Sequence, residues 1–231
     1  MTTKIVMSII ECMFLFSLNI ASVVAQQSLF NVPSSEITEK DKLFFQEQVN
    51  LLSTGVSNTT LDYGLGNGLE MGLTFLNFDL YTRRHTWFDP MLLLNVQQGF
   101  HVTESWKVGI GTQSGSTLPF SGKIAQFASF NYLNNAFDLQ EWGKYYLGVY
   151  HANTAYAGSG TKVDLMAGIE LPVTKDIHIV SDFIKGNNDI SVAVFGFVWY
   201  ATPHWQLSFG TQFSESFNRI EGEVFEFTFV Q

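Results

Sequence analysis

The chain has 231 residues, of which 14% are charged and 15% aromatic, with 22 phenylalanines, one cysteine and a formal net charge of −9. An acidic chain with so few lysines and arginines, and with no basic stripe, is not built to bind nucleic acid. A lone cysteine excludes an intrachain disulfide and a thiolate metal site. Beyond the N-terminus no run reaches about 18 apolar residues, which excludes a bundle of membrane helices.

Residues 1–25 have the form of a cleaved signal peptide. Lys4 supplies a positive start, Met13 to Val24 an apolar centre, and Val23-Val24-Ala25 a small-residue cleavage site. The only cysteine, Cys12, lies inside this segment, so the mature chain is expected to have none. Residues 26–42 are polar, with Pro33, Ser34 and Ser35 followed by Glu39-Lys40-Asp41-Lys42. They are predicted to be a periplasmic lead-in, and the sequence leaves open whether they plug the domain C-terminal to them.

From Leu43 onward the period changes to two. Gln46, Gln48 and Asn50 alternate against Phe45, Val49 and Leu51, which predicts a first strand and turns Glu47 towards the apolar face. An amphipathic helix through Lys40–Leu52 competes, but the period favours the strand. Leu61, Tyr63 and Leu65 oppose Asp62 and Gly64, and Gly66-Asn67-Gly68 then supplies a tight hairpin. Leu69, Met71, Leu73 and Phe75 share a face that Leu76, Phe78 and Leu80 continue after a change of phase, which predicts a bulge near Phe75-Leu76.

After a loop at Thr82 to Pro90, Met91 to Val102 and Trp106 to Thr112 form the next pair, turned at Thr103-Glu104-Ser105. Lys123 to Asn134 and Glu141 to His151 come next, then a Gly/Ser-rich loop from Ala152 to Lys162. Val163 to Leu171 alternates cleanly, with Val163, Leu165, Ala167 and Ile169 against Asp164, Gly168 and Glu170. Ile177 to Lys185, two strands within Ile190 to Ser214 broken at Thr202-Pro203-His204, and Glu223 to Gln231 complete the series. The count is about twelve strands, each near the ~9–11 residues that a tilted strand needs to cross a bilayer.

One set of connections is tight and the other mostly longer. Trp106, Trp142 and Trp205 begin strands after tight turns, while Tyr81, Trp87 and Tyr150 lie at the opposite ends. Ring side chains at both levels suit two headgroup girdles. The fold class expected is all-β: a closed antiparallel up-and-down transmembrane β-barrel spanning 43–231. The competing architecture is a soluble barrel or sandwich that hides the same apolar face in a core.

On these residues the chain resembles the bacterial outer-membrane β-barrel proteins, porin-like members included. Its last strand, Phe225-Glu226-Phe227-Thr228-Phe229-Val230-Gln231, is similar to that family's C-terminal assembly signal, although it ends in glutamine. The resemblance implies the outer membrane as location, and the lipid bilayer and the outer-membrane assembly machinery as partners.

Catalytic signatures are sparse. None of the five histidines has serine two residues later. His178 and Asp182 share a face but stand about 13 Å apart along one strand, too far for a hydrogen bond. No phosphate-binding loop or metal-ligand spacing stands out, so no catalytic residue, metal or cofactor is assigned. The candidate site is the lumen wall: Asp62, Glu70, Lys107, Lys144, Asp164, Glu170, His178, Asp182 and Glu226. Such a wall points to a porin-like conduit for small hydrophilic solutes with a slight cation preference. The alternatives are a non-conducting structural or interaction barrel and a lipid-modifying enzyme of the same membrane.

Overall fold

The computed structural model describes residues 29–52, 55–81, 89–119 and 124–231. The expected signal peptide and its cleavage site lie outside the described residues. Those residues form twelve strands: β1 Leu43–Leu51, β2 Gly55–Gly66, β3 Leu69–Tyr81, β4 Met91–His101, β5 Trp106–Thr117 and β6 Phe127–Asp138. Then come β7 Lys144–Ala152, β8 Val163–Pro172, β9 Ile177–Ile184, β10 Val192–Tyr200, β11 Trp205–Ser214 and β12 Ile220–Val230. A 3₁₀ turn at Gln140–Trp142 precedes β7, and a one-turn helix, α1 (Thr154–Ala157), comes after it.

Each strand pairs antiparallel with its sequence neighbours, and β1 pairs with β12 to close the barrel. Closure leaves no sheet edge, which is what lets a β-structure sit in hydrocarbon without unpaired backbone groups. The phase of each strand decides its outer surface. Leu73, Leu147 and Phe195 each remain about half exposed, at 51%, 54% and 57%, while the alternate residues Thr74, Tyr146 and Val194 are buried. An apolar band of this extent around a closed barrel is a lipid-facing surface. No helix among the described residues is long and apolar enough to cross a membrane. The protein has the fold of the bacterial outer-membrane β-barrels.

The start of β1, the end of β12 and the tight connections lie at one end of the barrel, and the mostly longer connections at the other. The β2–β3 hairpin turns on Gly66, Asn67 and Gly68, all with φ between 55° and 86°, as its Gly-Asn-Gly sequence requires. The phase change in β3 falls one residue later than the alternation suggests. Ser57 pairs with Phe78 and Thr59 with Phe75, so Leu76 and Asn77 together oppose the single residue Asn58, and Asn77 takes φ 61°. Its N–H is held by the Asn58 side chain at 2.9 Å. Leu76 therefore stays inside, packed with Met91 and Leu93, while Phe78 and Leu80 face out.

Other boundaries move more. β2 starts at Gly55, not Thr59, β5 continues to Thr117, and β6 runs Phe127–Asp138, four residues later than its mixed pattern indicated. Glu47 sits at the middle of β1 on the outer face, opposite Thr59. There Thr59 Oγ1 donates to its carboxylate at 2.5 Å and Ser57 Oγ donates as well. These hydroxyls supply the partners that lipid cannot.

The strand-end aromatics divide. Trp106 stacks on Phe137, Trp205 stacks on Phe227, and Trp142 is the most exposed of the three. Trp87 and the side chain of Tyr81 lie outside the described residues. Tyr150 is not a girdle residue. It shares the inward phase of β7 with Tyr146, is 1% exposed, and donates its hydroxyl to the Lys185 carbonyl at 2.8 Å.

Candidate functional site

The interior is occupied by the chain's own N-terminal segment. For residues 26–42, read as a periplasmic lead-in, the sequence leaves open whether they enter the barrel; of the described part, residues 29–38 lie within it, with Leu29, Val32, Ser34, Ser35 and Thr38 buried. From β1 the segment returns past β2, where Lys40 bridges to Gly64, and then makes a circuit of the inner wall. Thr38 meets Glu70 on β3, Ser34 and Glu36 meet Gln97 on β4, and Ser35 meets Asn134 on β6. Asn31 and Val32 meet Asp182 on β9, and the Phe30 carbonyl accepts from Gln48 on β1 at 2.9 Å.

Charged wall residues provide the firmest of these contacts. Asp182 accepts the backbone N–H groups of both Asn31 and Val32, the second at 2.9 Å. Glu70 accepts the N–H and the hydroxyl of Thr38 at 2.7 and 2.8 Å. Glu36 is the segment's own charge. Lys107 reaches it at 2.5 Å and Lys144 at 3.7 Å. A hydrogen bond to an ionised group is worth about 1.5–3 kcal/mol net, roughly twice a neutral one. The dependence is mutual: without the segment these wall charges lose these contacts, and without them the segment's backbone amides lose theirs.

Glycines make the room. A Cβ on Gly210 would stand 2.8 Å from Phe30 Cζ, and one on Gly99 2.7 Å from Ile37 Cγ1. One on Gly168 would collide with Leu29 Cδ1. These three strands give up inward side chains where the segment passes.

A second cluster lies towards the tight-turn end. Although His178 is far from Asp182 along β9, it reaches across to β8, where its Nδ1 is 2.6 Å from Glu170 Oε1. Tyr200 on β10 donates its hydroxyl to the same oxygen at 2.6 Å and packs edge-on against the imidazole. The group ties three strands together through one buried carboxylate.

Towards the longer-loop end, above the segment, a cavity of about 300 Å³ remains. Phe30, Asn31 and Pro33 line it from the segment's side. Gln46, Gln48 and Asn50 of β1, with Asn58 of β2 and Asn95 of β4, form an amide-rich wall. Its aromatic residues are Phe130, Tyr132 and Tyr156, with Phe30 and Phe44. Tyr156 belongs to α1, which the loop after β7 folds inward. Asn153 caps that turn by accepting the Tyr156 N–H at 3.1 Å, and the Tyr156 hydroxyl donates to Gln113 at 2.8 Å. Burial holds this phenol well above its ordinary pKa. Asp189, also lining the cavity, is raised by desolvation, which Lys162 opposes.

Of the predicted wall residues, Asp62, Glu70, Glu170, Asp182 and Glu226 are buried within the barrel, and Lys107, Lys144 and His178 are partly buried. They do not converge on one centre. Asp62 and Glu70 line the cavity, Glu170 and His178 form the lower cluster, and Asp182 holds the segment. Asp164 stands apart near the longer-loop end, 3.5 Å from Lys185. The reading by charge passed over Asn95, Gln97, Asn134, Tyr132 and Tyr156, although Gln46, Gln48 and Asn50 carried the amide signal in their alternation.

The comparisons with known proteins agree with this geometry at the level of fold. KdgM porin, alone and in complex with disordered oligogalacturonate, superposes with a TM-score of 0.56 at 7% identity, over 82% of this chain and 97% of that one. Outer membrane phospholipase A from Escherichia coli gives a TM-score of 0.47 at 11% identity, over 91% of this chain and 95% of that one. No family model matches the sequence, and no curated protein matches it significantly. The chain thus shares the KdgM porin barrel without sharing its sequence.

Proposed function

We propose that the protein is a porin-like outer-membrane barrel for small hydrophilic solutes, and that its N-terminal segment holds the passage shut. After export and removal of residues 1–25, residues 26–42 would be the first part of the mature chain. The observation that carries this reading is the contrast within the barrel. A polar cavity lies on one side of a segment that crosses the interior and is held by side chains able to exchange their partners for water. To leave, the segment would break these hydrogen bonds and the Glu36 ion pairs and unpack Leu29, Phe30 and Val32, with no strand pairing of the barrel broken.

Planar-bilayer recording tests it. The full chain is expected to give low conductance with brief openings, and a chain lacking residues 29–40 a steady, larger conductance. A deletion variant that still migrates differently in boiled and unboiled samples, yet passes no current, would overturn the reading. The non-conducting barrel is the second reading, and the anchoring of the segment at Asp182, Glu70 and Glu36 favours it. It predicts that the deletion variant conducts while the full chain never opens.

A further inference from the structure

We infer that the cavity above the segment is a binding site for a neutral saccharide of one or two rings. The inference rests on the porin-like reading for its supply of solute, but the site stands on its own geometry. A volume of about 300 Å³ is at the small end of ligand sites, which run from ~300 to ~1,000 Å³.

The lining selects the chemistry. Gln46, Gln48, Asn50, Asn58, Asn95 and Gln212 present side-chain amides. An amide offers a donor and an acceptor side by side, the complement of the paired hydroxyls on a sugar ring. Two side-chain oxygens of this wall, those of Asn50 and Asn95, have no partner among the described residues; both are buried, so each must turn towards the cavity to accept from a solute. Tyr132 and Tyr156 supply ring surface, backed by Phe130, which is stacked against both Tyr150 and Tyr156. Phe130 and Tyr156 are stacked with centroids 5.2 Å apart, so these rings come as a stiff unit. A pyranose is amphipathic in the matching sense, with C–H faces for the rings and an equatorial rim of hydroxyls for the amides.

Charge narrows the class further. No lysine or arginine is among the described residues lining the cavity, whereas Asp62, Glu70 and Asp189 are. An anionic saccharide would meet carboxylates with no cation to offset them. A polyamine would need several free carboxylates, but Asp62 already accepts from Asn95 at 3.2 Å and Glu70 from Thr38, which leaves Asp189 to meet its ammonium groups. A neutral polyhydroxylated ring can pair with amides without disturbing any of the three.

Isothermal titration of the full chain in detergent decides the matter, with sucrose, digalacturonate and spermidine as probes. Sucrose is expected to bind saturably, at least tenfold more tightly than either charged probe. Tyr156→Ala should weaken sucrose at least tenfold and Tyr156→Phe less than threefold, because the ring face contributes more than the hydroxyl. Should Tyr156→Ala fail to fold, saturation-transfer spectra of the unmodified protein carry the decision, with magnetisation passing from aromatic protons to sucrose C–H groups. Absence of saturable sucrose binding, or tighter binding of either charged probe, would overturn the inference. Binding without conductance would refute passage and leave the site; conductance without binding would do the reverse.

Discussion

Asp182 on β9 accepts the backbone N–H groups of Asn31 and Val32, which precede it by about 150 residues in the chain. Few contacts tie the segment to the far wall so directly, and this one depends on the carboxylate's charge. Asp182→Asn keeps the side chain's shape but replaces an ionised acceptor with a neutral one. At about 1–1.5 kcal/mol lost, the displaced segment should become roughly five- to twelvefold more populated. The measurement is maleimide labelling of Val32→Cys in a mature chain otherwise free of cysteine, with and without Asp182→Asn. Equal labelling rates would mean that Asp182 does not hold the segment.

Gly168 gives a steric test of the same arrangement. A side chain there meets Leu29 inside a closed barrel whose wall does not give way easily. Gly168→Val should therefore expel the segment, raising both Val32→Cys labelling and conductance, while heat-modifiable migration persists. Gly196 is a useful contrast, because a Cβ there meets the backbone of β11 and not the segment. Gly196→Val is expected to damage the barrel itself.

The Glu170 cluster makes a prediction about stability. Tyr200→Phe removes one donor to a carboxylate that His178 still holds. The cost should be about 1.5–3 kcal/mol, the range for hydrogen bonds to charged groups. Urea titration followed by band shift on a denaturing gel measures it. A change within about 0.5 kcal/mol would mean that water or Tyr146 replaces the lost donor.

How much of this was legible depends on the range over which each feature is determined. Strand number, closure and outward phase are local: Leu69, Met71 and Leu73 announce their face by period alone, and Gly-Asn-Gly announces its turn. β6 was misplaced because its outward face mixes Phe127 with Ser129 and Asn131 while its inward face carries Ala128, Phe130 and Tyr132, blurring the period. The route of residues 29–42 was not readable, since it depends on contacts with strands 18 to 151 residues away along the chain. Its traces were present all the same. Gly99, Gly168 and Gly210 repeat on inward positions where other strands carry larger side chains. Tyr150 was misassigned because position near a strand end was weighed above phase, although its alternation with Leu147 and Val149 already placed it inside. The wall charges were found, but not that they are shared among a cavity, a strand clasp and a docked segment.

The charge distribution leads to a final prediction about selectivity. With the segment in place, Glu36 is paired with Lys107 and Lys144. Asp182 and Glu70 are likewise engaged by backbone N–H groups and a hydroxyl of the segment. Remove residues 29–40 and the wall presents Asp62, Glu70, Glu170, Asp182 and Glu226 against Lys107 and Lys144. Glu36 leaves with the segment, so the two lysines are no longer neutralised, yet the acidic groups still outnumber them. A low-dielectric wall focuses that field onto a permeating ion, so the open barrel should prefer cations. Asp164 contributes little, being paired with Lys185 near the longer-loop end. In a tenfold KCl gradient the reversal potential should have the sign of cation preference, and it should shrink as both concentrations rise and the Debye length shortens. Asp62→Asn with Glu70→Gln should shrink it further without unfolding, because lumen positions tune selectivity. Asp164→Asn should leave it nearly unchanged. An anion-selective reversal potential in the deletion variant would show that Lys107 and Lys144 stand at the constriction and that the acidic groups do not.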